Sequence, residues 1–497
     1  MKQRVTLLNV VSSVLLQLCT IVSGFIVPKI VLSTFGSDVN GLISSLNQLL
    51  CYITLLEGGV TSVISASLYK PLATKDMDKT NSVLVTAKKF YQKIGAIFVL
   101  YSICLACFYP IIFNVKYTFE FVFSLTIILS ISLFIQYMFS LNLKTLLTAD
   151  KKVYIISFTQ IGFILLNIIL SIICVKIYPS IHVLKLCNGF LYIIQPLIYG
   201  FYVKKYFKID KHAKVDNNLL KNRWSGFAIN FAAFVHLSTD VTILTLFTNL
   251  ATVSIYSVYS IVTNGLKQLI SSISNGVSPT IGQLYASGNK EELIKKFNAY
   301  EFALTMIIYF IFAVTSLLIT PFVLIYTKNI TDTNYYQPVF GVVLALSEAV
   351  YLLKAPHTSL AYSAKKFKEI TPICFIEAIV NIILSVILVP KIGLLGVAIG
   401  TLVAMLIRGA YQVDYSNILL YGKRNYNFLI KNIILLIPTI ILAVLLVTLI
   451  PIGKLTLFNW VIKAIIYSAI YAIMYLIITL IFFKKEFSIV MEYFRRR

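Results

Sequence analysis

An apolar run about as long as a bilayer is thick recurs from one end of this chain to the other. A helix needs about 20 predominantly apolar residues to cross the hydrocarbon core. Applied to the 497 residues, that ruler predicts fourteen spans: 7–33, 40–67, 91–113, 118–140, 153–176, 182–203, 226–249, 252–276, 301–326, 338–361, 369–390, 393–413, 429–451 and 458–483. Only 12% of the residues are charged, about half the share in soluble domains, which is near 25%. An ordinary soluble fold is excluded. The predicted class is an all-α polytopic membrane protein with both termini on one side.

Basic residues decide which side. Counting those near a span end with the adjacent loop, 32 of the 43 Lys and Arg lie at the N-terminus, in even-numbered loops or in the tail. Seven lie in odd-numbered loops and four within spans. Because Lys and Arg accumulate in cytoplasmic loops, both termini are expected in the cytoplasm. The formal charge of +24 therefore reports topology, and no nucleic-acid partner is expected. Met1-Lys2-Gln3-Arg4 leads into an apolar stretch that is too long for a cleaved signal and lacks a small-x-small site, so it reads as a retained first span. All seven cysteines fall within spans, which argues against a disulfide framework or a zinc site. No loop is long enough to fold alone. Function is expected inside the helix bundle, with no catalytic residue, metal or cofactor.

The chain also repeats itself. Residues 148–177 align without a gap on 362–391 at an offset of 214, with Asn167-Ile-Ile-Leu-Ser171 falling on Asn381-Ile-Ile-Leu-Ser385. Leu68-Tyr69 and Leu284-Tyr285 correspond at 216. A period of six spans gives two halves of the same orientation, a parallel repeat of the kind found in transporters. The expected organisation is an N-lobe at 1–203, a basic cytoplasmic linker at 204–225, a C-lobe at 226–413, and two extra helices with a basic tail at 414–497.

Four spans carry polar stripes. The first has Asn9, Ser13, Gln17, Thr20 and Gly24 on one helical face, and the second has Asn40, Ser44, Asn47, Cys51, Thr54 and Gly58, with Glu57 beside them. The eighth has Asn264, Gln268, Ser271 and Asn275, with Lys267 adjacent. The seventh sets His236 and Asp240 one turn apart. A polar face toward lipid is unfavourable, so each stripe should line a cavity or a helix contact. The thirteenth span, almost free of polar residues, should face lipid.

Charges inside spans cost about 2.5–3.5 kcal/mol near the bilayer centre on insertion scales. Asp240 lies about 14 residues into its span, roughly 21 Å along the axis, too deep for its short side chain to reach either interface. Glu57, before Gly58-Gly59, joins an acid to a point where a helix can bend. Lys354, Arg408 and Lys463 lie nearer span ends, where long side chains can reach the interface. Glu348 and Glu377 stay unassigned. Gly24 and Pro28 predict a kink in the first span.

Several segments carry a resemblance: Phe35-Gly36-Ser37-Asp38-Val39-Asn40-Gly41-Leu42, Leu55-Leu56-Glu57-Gly58-Gly59-Val60 and Leu68-Tyr69-Lys70-Pro71-Leu72-Ala73. Further along come Leu146-Leu147-Thr148-Ala149-Asp150-Lys151, Thr239-Asp240 and Ser278-Pro279-Thr280-Ile281-Gly282. As an ordered set they resemble the Wzx-type polysaccharide flippases of the multidrug/oligosaccharidyl-lipid/polysaccharide exporter superfamily. The resemblance implies two lobes around a cavity that opens alternately to either side of a bacterial cytoplasmic membrane. It implies an undecaprenyl-pyrophosphate-linked oligosaccharide as substrate, drawn from the membrane lipid for capsule, exopolysaccharide or O-antigen assembly. It also implies a coupling cation, proton or sodium, and polysaccharide polymerase machinery as a partner.

On that reading the cavity residues are Asn9, Gln17, Asn47, Glu57, His236, Asp240, Asn264, Lys267 and Gln268. Glu57 and Asp240 are the candidates for ion coupling, and Lys267, Lys354 and Arg408 for pyrophosphate contact. Family members use a cationic cavity, and this chain departs from that pattern in having few Lys or Arg on spans one, two and seven. The rival readings are a lipid II flippase and a cation-coupled multidrug exporter of the same superfamily. A membrane polysaccharide polymerase is more distant, because it would need a sizeable outer loop.

Overall fold

The computed structural model describes residues 2–57, 59–113, 116–210, 212–216, 219, 227–364, 366–451 and 453–495. Among them there is no strand. The helices are α1 Lys2–Cys51, α2 Val60–Thr74, α3 Met77–Ile112, α4 Phe119–Ile135, α5 Leu141–Ala149, α6 Val153–Ile177, α7 Ile181–Leu191, α8 Ile194–Tyr206 and α9 Phe227–Phe247. They continue with α10 Leu250–Ala286, α11 Lys290–Tyr326, α12 Pro338–Leu353, α13 Ala355–Ser363, α14 Phe367–Ile392, α15 Leu394–Tyr421, α16 Asn427–Leu449, α17 Leu457–Phe482 and α18 Lys484–Arg495. Eleven helical segments are long and apolar enough to cross a bilayer. The first, Leu7–Glu57, covers the first predicted span and most of the second, and α9 and α10 stand at the seventh and eighth predicted spans.

The first two spans form one helical run that turns at Gly36, where φ is 84° and ψ 179°. At Gly24 and Pro28, where the sequence predicts a kink, helical dihedrals continue through both residues. Pro28 removes only one hydrogen bond, whereas Gly36 takes up a backbone conformation that a Cβ would disfavour. The second predicted span is itself broken. A 3-10 turn covers Tyr52–Glu57, and Gly59 follows with φ 85° before α2 begins. This is the bend that the glycines after Glu57 predict. Capping residues set other boundaries: Asp76 accepts from the Lys79 amide at 3.0 Å to start α3, and Asn289 accepts from the Glu292 amide at 3.2 Å to start α11.

The chain divides into two compact units, Met1–Ser254 and Ile255–Arg497. In the first, α1 packs along α6, α3 on α4, and α4 on α7. The Ser45 hydroxyl accepts from both Tyr109 and Thr245 at 2.9 Å, and Asn40 donates to Ser254 at 2.8 Å. Asn40 of the polar stripe on the second span is thus a helix contact. Gly41 permits the closest approach, since a Cβ there would overlap the Leu250 carbonyl. Span four carries a π-helical turn at Gln136–Ser140, and span six is interrupted at Tyr192 and Ile193.

In the second unit the repeat reappears in the helix boundaries. α13 and α14 begin 214 residues after α5 and α6, and α15 begins 213 after α7. α16 and α17 pack on α11. α16 buries only Leu435 and Leu446, as a lipid-facing helix should. Its one charged side chain, the half-buried Lys431, reaches back to Glu301 of α11 at 3.1 Å. Glu301 is 5% exposed, and its other oxygen stands 3.3 Å from His357 Nε2. The tail forms amphipathic α18 on the same surface, with Glu486 3.8 Å from Lys431 and Glu492 3.7 Å from Lys295. Polar contacts add to the apolar ones, with Tyr309 donating to Asn432 of α16 and Trp460 of α17 to the Leu318 carbonyl, each at 3.0 Å.

Candidate functional site

Within the first unit lies a cavity of about 580 Å³, walled by α1, α4, α6, α7 and α8, a size typical of small-ligand sites at about 300–1,000 Å³. Its wall is rich in amides. Asn47 comes from α1, Gln136 from the π turn, Gln160 and Asn167 from α6, Asn188 from α7 and Gln195 from α8. Leu16, Val27, Leu129 and Phe163 supply apolar surface, and Lys185 is the one charged side chain on the wall. Gly24 and Pro28 also face it. Pro28 has no N–H, so the Gly24 carbonyl, four residues earlier, loses its helical donor on this wall.

The spacing explains why one face of each helix meets the cavity. Gln160, Ile164 and Asn167 lie at i, i+4 and i+7, and Lys185, Asn188, Tyr192 and Gln195 at i, i+3, i+7 and i+10. Asn188 donates to Ser171 at 3.4 Å, while its buried Oδ1 has no partner among the described residues. A polar group in such a place waits for water or a ligand.

The predicted cavity residues scatter. Asn47 is on the wall, but Gln17 is not. Asn9 donates to the Lys151 carbonyl at 2.8 Å and accepts from the Tyr154 amide at 2.9 Å. It backs the start of α6, where Lys151 adopts φ 61°. Asn264 and Gln268 are exposed on α10. The side chain of His236 lies outside the described residues. Asp240 is 7% exposed and neighbours Tyr52, whose hydroxyl bonds the Ser238 carbonyl at 3.2 Å and Thr242 at 2.8 Å. A buried acid thus sits against the 3-10 break.

Glu57 ends that break. Its carboxylate accepts from Thr61, whose hydroxyl is 2.7 Å from Tyr91, and Tyr91 is 3.5 Å from Thr145. Tyr137 of the π turn hydrogen-bonds Glu57, and Lys144 of α5 is within its field. Two helix irregularities therefore meet at one carboxylate.

In the second unit the three candidate cations belong to one cluster. Lys267 Nζ pairs with Glu348 at 2.8 Å, and Arg408 pairs with Glu377. Lys354 lies 4.1 Å over the Tyr351 ring, near Glu348, Glu377 and Arg408. Lys354 is 4% and Arg408 6% exposed. The expectation that these two reach the interface is therefore corrected: carboxylates on adjacent helices hold them inside. Glu348 and Glu377 are those carboxylates.

Cavity and cluster hold equivalent places in the repeat. Gln136 caps α4 as Lys354 caps α12. The offsets put Arg408 where Gln195 stands, Cys374 where Gln160 stands and Glu377 where Phe163 stands. One half fills the position with charge, and the other leaves it open and amide-lined.

No family model and no curated protein matches the sequence. Solved structures do match in fold. A multidrug resistance MATE family transporter of the MOP superfamily, in an inward-facing conformation, is 13% identical, with a TM-score of 0.64 over 81% of this chain and 95% of that one. A MATE in a bent conformation is 16% identical with a TM-score of 0.52 over 84% and 97%. An outward-facing MATE family transporter of the same superfamily is 12% identical with a TM-score of 0.51 over 82% and 96%. At such identities the likeness is one of fold.

Proposed function

We propose that the chain is an alternating-access flippase that moves undecaprenyl-pyrophosphate-linked oligosaccharide repeat units from the inner to the outer leaflet of a bacterial cytoplasmic membrane. Both termini face the cytoplasm on this reading, and the product feeds capsule, exopolysaccharide or O-antigen assembly through a polymerase. The observation that carries it is the amide-lined cavity of the first unit. A glycan crossing a bilayer loses water from every hydroxyl, at several kcal/mol for each uncompensated group. Asn and Gln replace that water, since each offers two donors and a carbonyl acceptor. The lipid tail stays in the bilayer, and there is no bond to make or break.

Glu57 and Asp240 are the coupling acids, each beside the broken second span, so that loss or gain of a cation can alter the bend. The cluster of Lys267, Lys354 and Arg408 holds three cations against Glu348 and Glu377. Its excess positive charge is suited to the pyrophosphate. The fold likeness favours a second reading, a multidrug exporter. An exporter of lipophilic cations would want a carboxylate on its cavity wall, and this wall has none. A lipid II flippase would share the same chemistry.

Deletion of the gene followed by analysis of lipid-linked intermediates tests the proposal. Loss of surface polysaccharide with an inward-facing intermediate accumulating supports it. A change in drug sensitivity with unchanged polysaccharide overturns it.

A further inference from the structure

Among the described residues, Lys185 is the only charged residue on the wall of the first unit's cavity, and nothing pairs with it. The second unit treats its deep cations differently. Lys267 has Glu348, Arg408 has Glu377 and Lys431 has Glu301. At the repeat position where Glu377 compensates Arg408, the first unit has Phe163. A carboxylate is thus missing just where the cavity is open. The amide side chains of Asn47, Gln136, Gln160 and Gln195 on the same wall are likewise without a hydrogen-bond partner among the described residues. Asn188 Oδ1 adds an acceptor without a partner among the described residues, and Pro28 deprives the Gly24 carbonyl of its i+4 amide donor.

A half-buried ammonium on a cavity wall needs an anion or water, and amides at this density match a polyol. We infer that this cavity is a subsite for an acidic sugar, with the Lys185 ammonium taking the sugar's carboxylate and the amides of Gln136, Gln160, Asn188 and Gln195 taking its hydroxyls. The inference rests on the flippase reading and narrows it to repeat units that carry a carboxylate. One ammonium balances one carboxylate. A pyrophosphate, with more charge and more oxygens, is better served by several cations or by an Arg fork, as in the second unit's cluster. A neutral glycan would fill the cavity but leave Lys185 uncompensated.

The test uses the full chain in nanodiscs and three probes: a uronate-containing oligosaccharide, the same oligosaccharide with its carboxyl reduced to an alcohol, and inorganic pyrophosphate. Wild-type protein should bind the acidic glycan at least about tenfold tighter than the reduced one, the scale of one charge-assisted hydrogen bond. Lys185→Gln should erase that difference, Lys185→Arg should keep most of it, and pyrophosphate should not compete. Equal wild-type binding of the two glycans overturns the acidic-sugar inference and leaves the flippase standing. So does a preference that survives in Lys185→Gln. Lys185-dependent competition by pyrophosphate moves the anion to the carrier and also overturns it. If neither glycan binds the wild type, the flippase reading falls as well. The wild-type comparison of the two glycans needs no variant, so a misfolded Lys185→Gln would not spare the inference.

Discussion

Replacing Glu377 by Gln removes one charge from the second unit's cluster while keeping the side chain's shape. Glu377 is fully buried and Arg408 nearly so. The Arg408 Nε has no partner among the described residues, so the guanidinium depends on that carboxylate. Lys354 and Lys267 stand in the same cluster, and the substitution raises its balance from three cations against two anions to three against one. Breaking a buried pair in this way costs about 3–5 kcal/mol. For a unit the size of Ile255–Arg497, with a melting shift of about 2–4 °C per kcal/mol, the expected loss is roughly 6–20 °C. Thermal unfolding of purified protein in detergent, followed by intrinsic fluorescence, reads it. Glu377→Leu combined with Arg408→Met should recover most of the loss, because an apolar pair of similar volume carries no desolvation penalty. A Glu377→Gln protein that melts within about 2 °C of wild type, or a double variant no better than the single, would refute the placement of a compensated charge pair inside the unit.

Other outcomes follow from the same geometry. Gly41→Val should prevent the first unit from packing, costing more than about 3 kcal/mol, because its Cβ would overlap the Leu250 carbonyl; near-normal yield and melting of the purified variant would contradict the contact. Lys431→Met leaves Glu301 buried without its closest cation, and should loosen α16 and α17 so that a protease site introduced in the 422–426 loop is cut faster than in wild type. Unchanged cleavage would mean that apolar packing alone holds the pair. Asp240→Asn should abolish translocation in proteoliposomes while leaving the melting temperature close to wild type; wild-type flipping rates would remove Asp240 from the coupling role.

The span count, the six-span repeat and the bend after Glu57 are legible in the sequence because each rests on local physics: apolar length, helix register and glycine. The cavity is less legible. Polar stripes draw attention to spans one, two, seven and eight, where residues recur at nearly every turn. Asn9 and Asn40 prove to be helix contacts, since an amide bonds a backbone or hydroxyl across a helix pair as readily as it faces a cavity. The wall comes chiefly from spans four, five and six, where the amides are sparse. Gln160 with Asn167 and Asn188 with Gln195 are each seven residues apart, a one-face signal spread over two turns. Lys185 lies three residues past the predicted start of span six at 182, so it counts as a loop charge in a topology tally. Only the chain's folding shows that its helix face is the one lining the cavity. Glu348 and Glu377 are similar cases: a carboxylate's partner on another helix cannot be read from spacing within its own.

Whether the chain is a flippase is decided by translocation with purified protein in liposomes. An oligosaccharide on undecaprenyl pyrophosphate is placed in one leaflet, and its appearance in the other is read with a membrane-impermeant glycosidase. Protein-dependent translocation is expected, and its loss when Gln160 and Gln195 are both changed to Leu, in a variant that still melts as wild type does. Translocation at the protein-free rate by wild-type protein, or translocation untouched by losing both amides, would contradict it.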